Sequence, residues 1–209
     1  MKKIGIIDYG VGNIRSIFNA ISILEAEPLL TSSREEILSC DAVILPGVGA
    51  FKHAMERLKE KSLDIILEEF ILTNKPFLGI CLGMQMLFES SSEFGNTKGL
   101  GFIEGSVEKL PLKTNFKLPH IAWEPIFSRS KLLWTNTILN NINENTDMYH
   151  VHSYFANPEQ ADYILSLSCY DDFLFCSTVK KNNIYGCQYH PEKSGNEGLQ
   201  VIKNFIKLA

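Results

Sequence analysis

Between Pro76 and Phe88 the chain passes from strand-like to helix-like sequence with no linker between them, and few architectures accept that. Pro76-Phe77-Leu78-Gly79-Ile80 reads as a short apolar strand, and Leu82-Gly83-Met84-Gln85-Met86-Leu87-Phe88 as the helix that follows. The break falls at Cys81. Its surroundings, Gly79-Ile80-Cys81-Leu82-Gly83, match the G-x-S-x-G pattern of a nucleophile elbow with cysteine in place of serine. The flanking glycines are expected to let the sharp turn form without Cβ clashes. A thiol at a helix N-terminus meets the positive end of the helix dipole and several unpaired N–H groups, which favours the thiolate. The N–H of Leu82 would then face a developing oxyanion. A lone cysteine is more often a small buried hydrophobe, so the elbow needs a base to carry chemistry.

The rest of the N-terminal half fits a sheet around this elbow. Ile4-Gly5-Ile6-Ile7 is a compact apolar run, followed by the glycine-rich Asp8 to Asn13 and by Ile14, Ile17, Phe18, Ile21 and Leu24 at helical spacing. The loop is not a dinucleotide fingerprint, because Arg15 stands where the third glycine belongs and no acidic residue follows at the right distance. Pro28 to Thr31 forms a second strand, and Ser33 with Glu36 a capping box opening a brief helix. Asp41 to Leu45 forms a third, whose continuous apolar run suits a parallel strand covered on both faces. It leads into Pro46-Gly47-Val48-Gly49, where glycines on both sides leave the Val48 N–H free to turn. A helix marked by Leu63, Ile66, Leu67, Phe70 and Ile71 precedes the Cys81 strand. The expected fold is α/β: one domain over residues 1–209, built on a doubly wound, mostly parallel sheet flanked by helices, with the site at the strands' carboxyl ends. A β-rich insertion is expected around Phe102 to Leu110, and Asn136 to Asp147 reads as a polar linker. Phe173–Val179 and Ile184–Tyr189 make a hairpin about Lys181-Asn182-Asn183, and Leu199, Ile202, Phe205 and Ile206 a closing helix.

The base lies at the end of that hairpin. In Gln188-Tyr189-His190-Pro191-Glu192, Pro191 is expected to keep the chain extended, so that Glu192 lies on the side of His190 and braces its imidazole. Nucleophile, base and orienting carboxylate are then all present. On Gly79-Ile80-Cys81-Leu82-Gly83-Met84-Gln85 and His190-Pro191-Glu192 the sequence resembles the class I, triad-type glutamine amidotransferases. Within them it is most similar to the HisH group, the glutaminase subunits of imidazole glycerol phosphate synthases. Asp8 to Ser16, Pro46 to Phe51, Val151-His152-Ser153-Tyr154 and Glu192-Lys193-Ser194-Gly195 carry that narrower likeness.

The resemblance implies a flavodoxin-like fold, Cys81, His190 and Glu192 as the catalytic triad, and Val48 and Leu82 as oxyanion donors. It further implies that Gly47, Gly49, Gln85, Ser153 and Tyr154 contact L-glutamine. Asn13, Arg15, Trp123, Tyr149 and Lys193 would face a HisF-like cyclase in a heterodimer that receives the ammonia and forms imidazole glycerol phosphate and AICAR. One departure stands out: HisH sequences usually read Pro-His-x-Gly-Trp-Asn, and here Ala122 and Glu124 flank Trp123. That leaves open a paralogous glutaminase feeding a sugar amidotransferase for surface polysaccharide, or, more remotely, a silent binding subunit. Trp123 itself could be an interface residue or a core aromatic.

Composition narrows the partners. A net charge of −4, a hydrophobic content of 45% and no dense tract among the 20 basic residues point away from nucleic acid and membrane surfaces, towards small molecules or proteins. The apolar run after Met1-Lys2-Lys3 ends at Asp8, too soon for the apolar core of a signal peptide. Five cysteines, odd in number and without C-x-x-C spacing, argue against a disulfide framework and a zinc site, so a reducing cytoplasm is expected. His150 and His152 share a strand face, but no third ligand accompanies them in sequence, so structural histidines, with no metal and no cofactor, are expected.

Overall fold

The computed structural model describes residues 1–111, 117–128 and 134–209. The N-terminal half alternates strands and helices: β1 (Lys3–Ile7), α1 (Ile14–Ile23), β2 (Glu27–Thr31), α2 (Arg34–Ser39), β3 (Ala42–Leu45), α3 (Phe51–Glu60), α4 (Leu63–Leu72), β4 (Phe77–Ile80) and α5 (Leu82–Met86). Short strands follow: β5 (Phe88–Ser91), β6 (Thr97–Lys98), β7 (Ile103–Lys109), β8 (His120–Ile126), β9 (Thr146–His152) and β10 (Tyr154–Pro158). The chain closes with β11 (Ile164–Tyr170), β12 (Phe173–Lys181), β13 (Ile184–Cys187) and α6 (Gly195–Leu208).

The main sheet has seven strands in the order β11-β12-β13-β4-β3-β1-β2. From β13 to β2 every pairing is parallel, and β12 and β11 add an antiparallel edge. The continuous apolar runs follow from burial on both faces. In β3, Val43 and Leu45 enter one core, while Ala42 and Ile44 enter the other. β4 divides likewise, Phe77 to the first core and Leu78 and Ile80 to the second. Each such side chain contributes roughly 1.5–3 kcal/mol by leaving water. The hairpin is as expected, a two-residue turn at Asn182-Asn183 with Asn182 at φ 54°. The β-rich insertion is a four-stranded sheet, β10-β7-β5-β6, beside a two-stranded β8–β9 ribbon.

The helix expected before the elbow is α4; α3, which precedes it across Ser62 at φ 54°, was not expected. Three local expectations need correction. α5 stops at Met86 and the chain turns back into a strand at Phe88, so the elbow helix is one turn long and its dipole correspondingly weak. Half of the capping box forms: Ser33 Oγ accepts from the Glu36 N–H, but the Glu36 carboxylate binds the Thr31 hydroxyl instead. Asn136 to Asp147 is not a solvated linker. Ile138 and Leu139 are fully buried, and Asn204 of α6 donates to the carbonyls of Ile138 and Asn140. Asn136, Asn141 and Asn145 take the positive-φ positions, which asparagine tolerates, and this lets apolar residues between them turn under α6.

Candidate active site

The elbow forms at the carboxyl end of β4, and its glycines act differently from expectation. Cys81 itself takes the strained torsions, φ 55° and ψ −111°, whereas neither Gly79 nor Gly83 is at positive φ. Their role is close approach. A Cβ on Gly83 would lie 1.9 Å from the Leu45 carbonyl oxygen, and one on Gly79 2.6 Å from the Gly83 oxygen. The elbow is thereby pressed against the end of β3 and the Pro46–Gly49 loop. Gly47 belongs to the same contact, since a Cβ there would stand 2.7 Å from the Gly83 nitrogen.

Cys81 is 6% exposed, at the base of a cavity of about 360 Å³. Val48, Gly49, Leu82, Gln85, Val151, Ser153, Tyr154 and His190 border the same cavity. Gly47, expected to touch substrate, is buried and does not border the cavity; its lack of a side chain serves the packing against Gly83 and Leu82. Gln85 is also more of a brace than a free hydrogen-bonding group, because its Nε2 donates to the Tyr154 carbonyl at 2.9 Å and to Gln188 Oε1 at 3.1 Å. Val48 is exposed, and Gly49 beside it sits at φ +92°. One residue was missed in the sequence: Glu93 is the only acidic side chain among the described residues that borders the cavity, and it accepts from the Phe51 N–H at 2.6 Å. It lies in a loop without periodicity, so nothing local marked it.

His190 reaches the cavity from the end of β13, with its Nδ1 2.8 Å from Glu192 Oε1. The bracing is as expected, but the route is not. Pro191 starts a 3-10 turn over Pro191–Lys193, so the carboxylate reaches back around a turn rather than along an extended chain. The Glu192 side chain is fully buried. Burial disfavours a charged His190, but the Cys81 sulfur and the Glu192 carboxylate outweigh it and push the imidazole pKa up to about 10. His190 Nε2 has no hydrogen bond, and the Cys81 thiol is directed at the Val151 carbonyl, 3.7 Å away, with Gln188 Nε2 3.9 Å from the sulfur. A proton can therefore pass between sulfur and imidazole without first breaking a bond at Nε2.

This arrangement is that of a cysteine hydrolase, and sequence comparison fixes the family. The family model for class-I glutamine amidotransferases matches residues 5–208. The chain belongs to the class-I glutamine amidotransferases. Among relatives of this amidotransferase, an imidazole glycerol phosphate synthase subunit HisH 1 of Legionella pneumophila (strain Lens) is 42% identical over 213 residues, covering 100% of both chains. A subunit HisH of Bacillus cereus (strain G9842) is 44% identical, over 97% of this chain and 93% of its own. In fold, the amidotransferase is similar to PurLQS from Thermotoga maritima, with a TM-score of 0.75, 17% identity and 99% of each chain covered.

The residues expected to face a partner split into two places. Asn13 and the exposed Arg15 stand at the start of α1, which touches the Pro191–Lys193 turn. Trp123 is 53% exposed and therefore not a core aromatic. Its ring lies 5.9 Å from that of Tyr149, and Lys193 Nζ lies 5.8 Å from the centre of the same Tyr149 ring. The metal reading also changes. His120, from the opposite strand of the ribbon, joins His150 and His152, so a third nitrogen ligand does accompany them. Burial lowers the pKa of all three, His120 to about 4 and His152 to about 3, which keeps them neutral. No helix among the described residues is long and apolar enough to cross a membrane.

Proposed function

We propose that this amidotransferase is the cytoplasmic glutaminase subunit of an imidazole glycerol phosphate synthase, one catalytic unit over residues 1–209, paired with a HisF-like cyclase. The observation that carries the chemistry is the line from Glu192 through His190 to an unpaired Nε2 beside Cys81. The Cys81 sulfur attacks the side-chain carbonyl carbon of L-glutamine, and its proton resides on His190 Nε2. The oxyanion lies between the backbone N–H groups of Val48 and Leu82, which border the same cavity. As the tetrahedral species collapses, the C–N bond breaks and the imidazolium protonates the departing nitrogen, releasing ammonia and leaving a γ-glutamyl thioester. His190 then takes a proton from water, which hydrolyses the thioester to glutamate. Glu192 keeps Nδ1 protonated and the ring in place throughout. Ser153 and Tyr154 border the end of the cavity for the substrate's backbone end, and Glu93 supplies a carboxylate there for its ammonium.

The relatives named as imidazole glycerol phosphate synthase subunits support a partner subunit and imidazole glycerol phosphate as a joint product; on this reading the partner is the cyclase and AICAR the second product. A sugar acceptor was suggested by Ala122 and Glu124. Those side chains share a strand face with His120, however, and Glu124 Oε1 lies 3.4 Å from His120 Nε2. The departures thus alter the inner side of the ribbon and leave the exposed Trp123 unchanged, which favours the cyclase. The exposed Val48, in a loop flanked by glycines, supports gating: one misdirected oxyanion donor lowers turnover about 10²- to 10³-fold. The test is glutamate release by the subunit alone, then with a HisF-like cyclase and its nucleotide substrate, together with glutamine-dependent formation of imidazole glycerol phosphate. Equal rates in both, or no imidazole product, would reject the assignment.

A further inference from the structure

The inner face of the β8–β9 ribbon holds three imidazoles that the glutaminase chemistry does not use. His120 and His152 are directly opposed across the ribbon, and His150 is two residues along β9 on the same face. One ring nitrogen from each can be chosen so that all three lie within 4.8 Å of one another. The Tyr154 carbonyl oxygen fixes the tautomer of one: it lies 2.9 Å from His152 Nδ1 and can only accept, so Nδ1 carries the proton and Nε2 a lone pair. That lone pair faces His120 Nδ1 at 3.3 Å, a gap that a proton or a cation bridges. On its other side His120 Nε2 lies 3.4 Å from Glu124 Oε1. The third histidine is more telling still: His150 is fully buried and neither of its ring nitrogens has a hydrogen-bond partner.

We propose that His120, His150 and His152 form a binding site for one divalent cation of the zinc class. Zinc–nitrogen bonds of about 2.0–2.1 Å at tetrahedral angles place ligand nitrogens about 3.3–3.4 Å apart, the spacing of the His120 and His152 pair. Imidazole bound to zinc characteristically donates its other N–H to a carboxylate or a backbone carbonyl, and here Glu124 and the Tyr154 carbonyl occupy those two positions. Neutral imidazoles are the form a metal needs. The Tyr170 ring stacked on His120 at 3.9 Å and the Phe175 ring against all three histidines keep the surroundings dry. His152 also borders the Cys81 cavity, which supplies a route of entry and room for water as fourth ligand. Bound there, the cation pins β8 to β9 beneath Trp123 and Tyr149. The site stands on the histidines alone and is independent of the glutaminase reading.

The decisive experiment is titration of the metal-stripped full-length chain with Co²⁺, in a Cys81→Ala background so that the candidate nucleophile cannot bind the ion. The expected result is one Co²⁺ per chain, the intense visible absorption of a tetrahedral site, no sulfur-to-cobalt charge-transfer band, and displacement by Zn²⁺. Zn²⁺ should also raise the melting temperature of this chain. His150→Phe, which fills the same space without a ligand, should lower the affinity by about 100-fold or more and abolish the thermal shift. Failure to bind a stoichiometric ion, a weak octahedral spectrum, a sulfur band, or unchanged affinity in the folded His150→Phe chain would each overturn the site. Should His150→Phe not fold, the titration and spectrum with His150 intact decide by themselves.

Discussion

Adding one methyl group at Gly83 tests the elbow without touching any group that bonds to substrate. A Cβ there meets the Leu45 oxygen at 1.9 Å and its carbonyl carbon at 2.9 Å, both backbone atoms that cannot rotate aside. Contacts below 3.0 Å are essentially never adopted by real Cβ atoms, so the α5 turn and the β3 end must separate by about 1 Å or more. Cys81 and Leu82 lie on one side of that seam and Val48 on the other. A misplacement of about 1 Å between a nucleophile and its oxyanion donor lowers turnover on the order of 10²-fold. Gly83→Ala should therefore reduce glutamine-dependent turnover about 10²-fold or more, with a stability loss of about 1–3 kcal/mol from overpacking. Gly47→Ala should be milder, because its Cβ meets the Gly83 nitrogen at 2.7 Å and the Leu82 side chain at 2.9 Å and needs only a few tenths of an ångström. The assay is steady-state glutamate release by the partnered enzyme, with circular dichroism and chemical denaturation to confirm and quantify folding. If Gly83→Ala folds and retains turnover within a factor of three, the seam does not position the site and the reasoning fails.

Cys81→Ala should lower glutamine-dependent turnover about 10⁴-fold or more while leaving the fold intact; a residual tenth of the rate would remove Cys81 as nucleophile. Glu192→Gln should slow turnover yet leave a thiol that a glutamine-like electrophile still labels, whereas His190→Ala should slow labelling far more; silence of Glu192→Gln in both assays would reduce it to a structural carboxylate. The His190 pKa of about 10 lies above its ordinary value of 6.5, so its contribution to stability is fully present below about pH 6.5 and is lost as pH rises through about 10. Denaturation midpoints should fall over that range more steeply than in His190→Ala, and parallel curves would show that the imidazolium is not held in the folded state.

The sheet was legible wherever its signal was local. β1, β3 and β4 are apolar runs buried on both faces, and the hairpin announced itself through two asparagines between strand-like segments. Cys81, His190 and Glu192 stood out because an elbow and a two-residue spacing need only neighbouring residues. The glycine argument reached the right residues for the wrong reason, since torsion angles can be guessed from a sequence but the nearness of Leu45 to Gly83 cannot. α3 carries Phe51, Ala54, Met55 and Leu58 at helical spacing, yet its many charged residues hid the period. Residues 136–147 were misjudged because asparagine marks both solvated loops and tight positive-φ turns. His120 was not connected with His150 and His152 because some thirty residues separate them, and only the pairing of β8 with β9 closes the gap.

That pairing also connects the surface at Trp123, 53% exposed, with the site. Tyr149 lies opposite Trp123 in the ribbon, and its backbone is tied to the candidate base. The Tyr149 carbonyl accepts from the His190 N–H at 2.9 Å, its N–H donates to Ser194 Oγ at 3.0 Å, and that hydroxyl donates to the His190 carbonyl at 2.7 Å. Two residues further along the same strand, the Val151 carbonyl takes the Cys81 thiol. β9 thus holds the backbone of His190 at one point and meets the sulfur at another. On the proposed reading, a partner seated on Trp123, Tyr149 and Lys193 need move β9 by only a few tenths of an ångström to release the thiol from Val151 and turn it to His190, because hydrogen bonds weaken steeply beyond their normal length. A cation at the three histidines would stiffen that same strand from its inner side. Docking outside and metal inside would then act on one element, and the spacing between sulfur and imidazole is where both would be felt.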